Sequence, residues 1–184
     1  MNQVHQESES RMKKSLEALQ NELTKLRTGR AHPSLIEHIK VKAYGTDTPL
    51  QQVGNIAVED ARTLAVTAWD KGLIPDIEKA IHGADLGLNP VTAGNVVRVP
   101  LPQLTEERRK SLAKIVRDEG EKTKVAIRNI RRDANTQVKD ALKAKDITED
   151  DARKAEDDMQ KLTDKYIKEC DTIVSAKEAD IMAV

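Results

Sequence analysis

The fold is decided by residues 105–145, which read TEERRKSLAKIVRDEGEKTKVAIRNIRRDANTQVKDALKAK. This stretch contains no proline, and its apolar residues return at helical spacing along one side of a single long helix. Those residues are Leu112, Ile115, Val116, Ala126, Ile127, Ile130, Ala134 and Ala141. Thr105 is the predicted N-cap, with Glu106 and Glu107 in the first turn. Because an amphipathic helix alone is marginal in water, the stretch predicts a helix that packs against others.

Two further segments without proline supply the partner helices. Residues 1–32 carry an apolar stripe with spacings of three and four, formed by Met12, Leu16, Leu19, Leu23 and Leu26. The segment Thr148-Glu149-Asp150-Asp151 fits a capping box and opens a third helix. Its stripe is Ala152, Ala155, Met159, Leu162, Tyr166 and Ile173. Three helices with one narrow apolar stripe each predict a left-handed three-helix bundle.

The centre of the chain has a different character, because all six prolines lie between Pro33 and Pro102. The β-prone runs here are Ile36 to Tyr44, Asn55 to Glu59, Arg62 to Trp69 and Val96 to Val99, and one helix is predicted from Pro75 to His82. Trp69 is expected in the core.

The first helix must pack on the last two, so the bundle is discontinuous in sequence. We therefore predict an α+β protein with a bundle from residues 1–30 and 105–184 and a small inserted domain from residues 31–104. Two chain segments, near 28–32 and 100–105, would join the domains and act as a hinge.

Composition excludes several classes of protein. The chain has 31 basic and 31 acidic residues, so its net charge is zero although 34% of its residues are charged. A polycation that coats nucleic acid is excluded, and an aromatic content of 2% argues against stacking of single-stranded bases. One cysteine cannot form an internal disulfide, and no apolar run is long enough for a membrane helix. We expect a soluble cytoplasmic protein.

The residues offer no chemistry of their own. The four histidines, His5, His32, His38 and His82, lack metal-ligand spacing with one another or with Cys170. Cys170 lies near the apolar side of the third helix, where a buried, inert thiol is expected. There is no phosphate-binding loop and no nucleophile motif. We predict neither an enzyme nor a cofactor or metal site.

Charge is unevenly distributed. Between Arg108 and Arg132 there are ten basic residues against three acidic ones, a net charge of +7, whereas residues 140–158 have eight acidic and four basic residues. At about 100° per residue, five residues fall within about 40° of one line, roughly opposite the apolar stripe. This basic ridge consists of Arg117, Lys124, Arg128, Arg131 and Asn135. The ridge predicts contact with the phosphates of a structured RNA or duplex.

Five sequence signatures, in order along nearly the whole chain, resemble the bacterial ribosome recycling factor family. They are Arg27-Thr28-Gly29-Arg30-Ala31, Asp85-Leu86-Gly87-Leu88-Asn89-Pro90, Val99-Pro100-Leu101-Pro102, Leu104-Thr105-Glu106-Glu107-Arg108-Arg109-Lys110 and Arg128-Asn129-Ile130-Arg131-Arg132-Asp133-Ala134.

This resemblance implies an L-shaped molecule, with a three-helix bundle joined at a hinge to a small β/α/β domain. It also implies a factor that binds the post-termination ribosome and, with elongation factor G and GTP, promotes subunit splitting and release from mRNA. The bundle would contact rRNA of the large subunit, and the small domain would be the part on which elongation factor G acts.

The resemblance, combined with the ridge, also suggests the residues that act. The candidate rRNA-binding residues are Arg109, Arg117, Lys124, Arg128, Arg131 and Arg132, with Arg27 and Arg30 as weaker candidates. The candidate hinge residues are Thr28, Gly29, Arg30, Ala31, Pro102 and Leu104.

Two other functions stay open from the residues alone. The bundle could be a dimerisation surface of a scaffold protein with a merely solvated ridge, or the chain could be an enzyme of unusual type. Sedimentation separates the first alternative from the monomer that we expect.

Overall fold

The computed structural model describes residues 1–26 and 28–183. The chain divides into two compact units, one formed by Met1–Arg27 and Glu107–Met182 and the other centred on Thr28–Glu106. The first unit holds three long helices and the second holds the strands. The predicted α+β class, a helical bundle interrupted by a smaller insert, is confirmed.

The bundle consists of α1 (Asn2–Thr24), α3 (Glu106–Lys143) and α4 (Glu149–Met182). A short helix, α2 (Ile74–His82), belongs to the insert. The buried residues of α1 follow the predicted stripe closely: Ser8, Met12, Leu16, Leu19 and Leu23. Those of α3 are Leu112, Val116, Gly120, Thr123, Ile127, Ile130, Ala134 and Val138. Ile115, expected in the α3 stripe, is exposed instead.

The start of α4 confirms the predicted capping box. The Asp151 backbone N–H donates to the Thr148 hydroxyl, and the Thr148 backbone N–H donates to the Asp151 carboxylate, both at 3.1 Å. These bonds satisfy N–H groups that the first helical turn would leave without partners. They hold the pKa of Asp151 below its usual value, chiefly through the backbone N–H of Thr148.

Helices α3 and α4 approach each other closely at Gly120. A Cβ atom built on Gly120 would lie 2.6 Å from Cγ2 of Val174, well inside the usual carbon–carbon contact distance of about 3.5 Å. The Cys170 thiol lies 3.5 Å from the Gly120 carbonyl oxygen. Cys170 is fully buried, as expected, and burial raises the pKa of its thiol.

The second unit contains two antiparallel sheets. The first pairs β1 (Lys40–Ala43) with β2 (Thr46–Pro49). The second has four strands in the spatial order β3-β4-β6-β5. Its strands are β3 (Gly54–Asp60), β4 (Thr63–Ala68), β5 (Val91–Ala93) and β6 (Val96–Pro100).

The core of the second unit is aliphatic and contains residues that are fully buried. Its fully buried members are Ile36, Val41, Leu50, Leu64, Val66, Ile77, Ile81, Val97 and Val99. The predicted helix is present as α2, with a proline in its first turn. The run from Ile36 becomes a strand only at Lys40, because a turn bond joins the Ile39 N–H to the Ile36 carbonyl.

Trp69 corrects one expectation, since its side chain is 68% exposed and lies outside the core. β4 ends at Ala68, and the Asp70 side chain accepts from the Gly72 N–H to open a short 3₁₀ turn. Leaving the sheet places the indole in solvent. Tyr44, at the turn between β1 and β2, is also exposed and donates its hydroxyl to Asp70.

Candidate nucleic-acid interface

The basic ridge lies on α3, but its position relative to the core differs from the prediction. At about 100° per residue, the ridge is about 90° from the centre of the buried stripe, and therefore not opposite to it. Four of its members, Lys124, Arg128, Arg131 and Asn135, are half-buried, whereas Arg117 is exposed. The ridge is the edge of α3 that faces α4, and α4 therefore decides which of its charges are available.

Lys124 is paired with Asp171 of α4. The lysine side chain is 18% exposed and the aspartate side chain 55% exposed, so the carboxylate lies on the solvent side of the pair. Glu121 adds a second carboxylate at 3.5 Å from Nζ of Lys124. The hydrogen bond to Asp171 is the main reason that the pKa of Lys124 is raised. A phosphate that approaches Lys124 would meet negative charge first.

Two basic residues that precede Lys124 on α3 are compensated too. Nη1 of Arg117 lies 3.6 Å from the carboxylate of Glu178 on α4. Lys122 pairs with Glu119 one turn earlier, at 3.0 Å. The stretch of α3 from residue 117 to residue 124 therefore presents little net positive charge.

The basic residues at the end of the ridge toward the α3 C-terminus are not paired with carboxylates among the described residues. Nη1 of Arg131 donates to the side-chain oxygen of Gln160 at 3.1 Å, and Arg132 donates to Asn129 at 3.4 Å. Both acceptors are neutral, and Arg128 forms no ion pair within the part of the chain that the structure describes. Arg128, Arg131 and Arg132, here called the arginine cluster, are thus adjacent on α3 and keep their full charge.

The arginine cluster is partly held in place by α4. Gln160 bonds Arg131 through its side-chain oxygen, and its side-chain nitrogen donates to Asp164 at 2.9 Å. Asp164 fixes the orientation of the amide, so the oxygen faces the guanidinium. One N–H of Arg131 is used in this contact, which leaves other donors of its planar fork for a ligand.

The remaining candidate residues lie at the two segments that join the units. Arg109 is half-buried in the first turn of α3. Thr28 is buried, whereas Arg30 and Pro102 are exposed. Arg27, a weaker candidate, lies outside the described residues.

Both segments are anchored to the same turn of the second unit. The Ala31 N–H donates to the Ala61 carbonyl at 2.8 Å, and the Leu101 N–H donates to the Arg62 carbonyl at 2.7 Å. Gly29 has a φ of +77°, and a Cβ built there would lie 2.8 Å from Cγ of Leu104. The two segments therefore contact each other where they enter this unit.

Sequence reasoning missed the partners of the ridge on α4. On α3, Arg117 and Lys124 are seven residues apart, and their partners on α4, Glu178 and Asp171, have the same spacing in the opposite direction. At the next step of the pattern, Gln160 lies between Arg131 and Asp164 and bonds both. Two antiparallel helices with matching seven-residue spacing bring such residues together along one seam. This periodicity was the available signal for the pairing.

The family profile described as "Ribosome recycling factor" matches residues 19–182. This chain belongs to the ribosome recycling factor family. It is 60% identical to the ribosome-recycling factor of Xanthomonas campestris pv. campestris (strain B100) and 58% identical to that of Xylella fastidiosa (strain 9a5c). Each comparison spans 184 residues and covers 100% of both chains.

Two solved structures of ribosome recycling factors resemble this chain over almost its whole length. A solution structure of the ribosome recycling factor has a TM-score of 0.64 and 42% identity, covering 100% of this chain and 97% of the other. The ribosome recycling factor of T. thermophilus, described with E. coli elongation factor G bound to the E. coli post-termination complex, has a TM-score of 0.58 and 44% identity. That match covers 98% of this chain and 97% of the other. The predicted assignment to ribosome recycling, protein biosynthesis and ribosome binding is confirmed.

Within residues 1–26 and 28–183, no helix has the length and apolarity needed to cross a bilayer. The same residues contain no group of three or more histidine, cysteine, aspartate or glutamate side chains placed to hold a metal ion.

Proposed function

We propose that this protein recycles ribosomes after termination by binding large-subunit rRNA through the arginine cluster. With elongation factor G and GTP, it promotes separation of the subunits and release from mRNA. The observation that carries the proposal is the uncompensated arginine cluster on α3 of a ribosome recycling factor. The relative from T. thermophilus, described together with elongation factor G and the post-termination complex, supports the choice of partner.

The contact surface in this proposal is narrower than the whole ridge. Arg128, Arg131 and Arg132 bind phosphates, because a planar guanidinium can donate two hydrogen bonds to one phosphate. Arg109 and Arg117 lie toward the N-terminus of α3, outside the cluster, and Arg117 is close to the Glu178 carboxylate. Lys124 makes no phosphate contact, because its ammonium is covered by Asp171.

The protein acts by occupying a site and being displaced, without covalent chemistry of its own. GTP is hydrolysed by the partner, and the sequence of this chain contains no phosphate-binding loop. It needs no cofactor, works as a monomer and is found in the cytoplasm with its ribosomes.

The joining segments form the hinge of this mechanism, between a bundle domain of residues 1–30 and 105–184 and a small domain of residues 31–104. Ala31 and Leu101 are bonded to the turn at Ala61 and Arg62, which supports placing the boundary between the hinge and the small domain at these two residues. Residues outside those anchors, Thr28, Gly29, Arg30, Pro102 and Leu104, absorb the change in backbone angles.

A charge reversal tests the interface. Arg131→Glu places a carboxylate within the arginine cluster and should weaken large-subunit binding about tenfold or more, measured by co-sedimentation at fixed salt. Arg153→Glu is the matched control, since Arg153 is exposed on α4 and makes no ion pair among the described residues. Circular dichroism and thermal melting should be nearly unchanged in both variants.

Unaltered subunit affinity in Arg131→Glu would reject the interface. A polysome breakdown assay with and without elongation factor G and GTP tests the activity itself, and Arg131→Glu should lose it. A concentration-dependent dimer with no affinity for the large subunit would instead favour a scaffold protein.

A further inference from the structure

We propose that Asp171 is a specificity-determining residue of the RNA interface, which occupies the Lys124 ammonium and so confines phosphate contacts to the arginine cluster. This inference rests on the proposed function, because it concerns the same surface. In this inference, side chains of α4 help to select the ligand. The basic ridge of α3 alone would not make that selection.

The geometry of the pair is the first support. Asp171 lies on the solvent side of Lys124, as the exposures of 55% and 18% show. Glu121, at 3.5 Å, holds the lysine from a second direction. For a phosphate to bind Lys124, the Asp171 carboxylate would have to move aside and lose its ion pair.

The contrast with Arg131 is the second support. Both residues lie on the same edge of α3, seven positions apart, and both bond a side chain of α4. The partner of Arg131 is the neutral amide of Gln160, which leaves the guanidinium charge in place. The partner of Lys124 is an anion. The α4 residue at each position therefore sets whether the α3 cation can attract phosphate.

The consequence for binding follows from counterion release. Each phosphate that a protein neutralises makes the salt dependence of binding steeper, by about 0.9 in the slope of log K against log salt for a duplex. An interface limited to a few arginines binds RNA in general weakly. Additional affinity must then come from a ligand whose shape fits the cluster, which favours the structured site over other RNA.

Asp171→Asn tests the inference by removing the carboxylate with little change in shape. The probe is a short RNA duplex of mixed sequence, titrated by fluorescence anisotropy at several salt concentrations. The variant should bind the duplex several-fold more tightly at low salt, with a slope steeper by about 0.9, because Lys124 becomes available. Asp171→Ser removes the same charge and provides a second variant if the first does not fold.

Two controls separate release of Lys124 from a general loss of negative charge. Glu169→Gln removes one charge nearby on α4, at an exposed residue without an ion pair among the described residues, and should change the slope little. The double variant Asp171→Asn, Lys124→Gln has the wild-type net charge and should return to wild-type affinity and slope.

The inference would be overturned if the slope of log K against log salt were the same for Asp171→Asn and Glu169→Gln. It would also be overturned if the double variant bound the duplex as tightly as Asp171→Asn alone. Failure of the proposed function has a different signature. In that case, Arg131→Glu leaves large-subunit binding unaltered, whatever the duplex titrations give.

Discussion

Tyr166 of α4 donates a hydrogen bond of 2.9 Å to the Glu9 carboxylate of α1. The tyrosine is only 2% exposed, whereas the Glu9 side chain that accepts from its hydroxyl is 29% exposed, so the bond joins α1 and α4 at the edge of the bundle core. Burial, followed by the bond to Glu9, raises the pKa of Tyr166 to about 12. The same bond is the main reason that the pKa of Glu9 is lowered.

The Tyr166–Glu9 bond should make stability depend on pH at both extremes. Glu9 has a lower pKa in the folded state, so its contribution is present above its ordinary pKa of 4.5 and is lost as the pH falls through the folded value. Tyr166 has a higher pKa in the folded state. Its contribution is present below pH 10 and is lost as the pH rises toward about 12.

Tyr166→Phe should therefore lower the free energy of unfolding by about 1 kcal/mol near neutral pH, because Glu9 loses its donor but stays hydrated. Urea unfolding at several pH values measures this. The difference between wild type and variant should shrink in acid and again above pH 10. A difference that is constant across the whole range would contradict the assignment of the bond.

The capping box of α4 gives a prediction with a built-in control. Thr148→Ala removes the hydroxyl that accepts from the Asp151 N–H and should destabilise the protein by about 1 kcal/mol. Thr136→Ala makes the same substitution within α3, where the hydroxyl bonds only the Arg132 carbonyl of its own helix. Because alanine is the better helix former, Thr136→Ala should be neutral or stabilising in thermal melts. Equal effects of the two substitutions would exclude a capping role.

The parts of the fold that sequence predicted well depend on local chemistry. The Thr148 capping box and the α1 stripe from Met12 to Leu23 follow from spacing within one helix, so residue order alone reveals them. The strands β2 and β5 were missed. β2 is polar and ends in a proline, and β5 has three residues, so neither shows the alternation that marks a strand.

The candidate site was predicted less completely, because its electrostatics depend on contacts between helices. Counting charges along α3 found the ridge but assigned Lys124 and Arg131 the same character. Only the packing of α4 shows that one is neutralised by Asp171 and the other is held by Gln160. The prediction that Trp69 lies in the core was wrong because it, too, depended on structure beyond the local pattern. An aromatic residue at the end of a strand can leave the sheet at the next turn.

Gly120 tests how tightly α3 and α4 pack. Replacing a mid-helix glycine by alanine normally stabilises a helix by about 1 kcal/mol. Here the new methyl would lie 2.6 Å from Val174, and overpacking costs about 1 to 3 kcal/mol, so Gly120→Ala should be destabilising on balance. Val174→Ala in the same chain should relieve the contact and recover most of the loss, as measured by chemical denaturation. A Gly120→Ala variant more stable than wild type would show that the helices can separate without cost.

Gly29 links the proposed hinge to activity. Its φ of +77° costs a residue with a side chain about 1 to 2 kcal/mol, and its new Cβ would lie 2.8 Å from Leu104. Gly45 has a φ of +79° with no atom within 4 Å, so Gly45→Ala introduces the same backbone strain without the contact. Gly29→Ala should therefore be the more destabilising of the two in thermal melts.

Gly29→Ala and Gly45→Ala should also differ in recycling activity, and not only in thermal stability. Gly29→Ala should retain large-subunit binding, because the arginine cluster on α3 is untouched, yet slow polysome breakdown with elongation factor G and GTP. Gly45→Ala should recycle at the wild-type rate, since its turn between β1 and β2 lies outside the joining segments. Adding Leu104→Ala to Gly29→Ala removes the side chain that the new methyl contacts and should restore part of the activity. Wild-type recycling by Gly29→Ala would show that the contact between Gly29 and Leu104 has no part in the hinge.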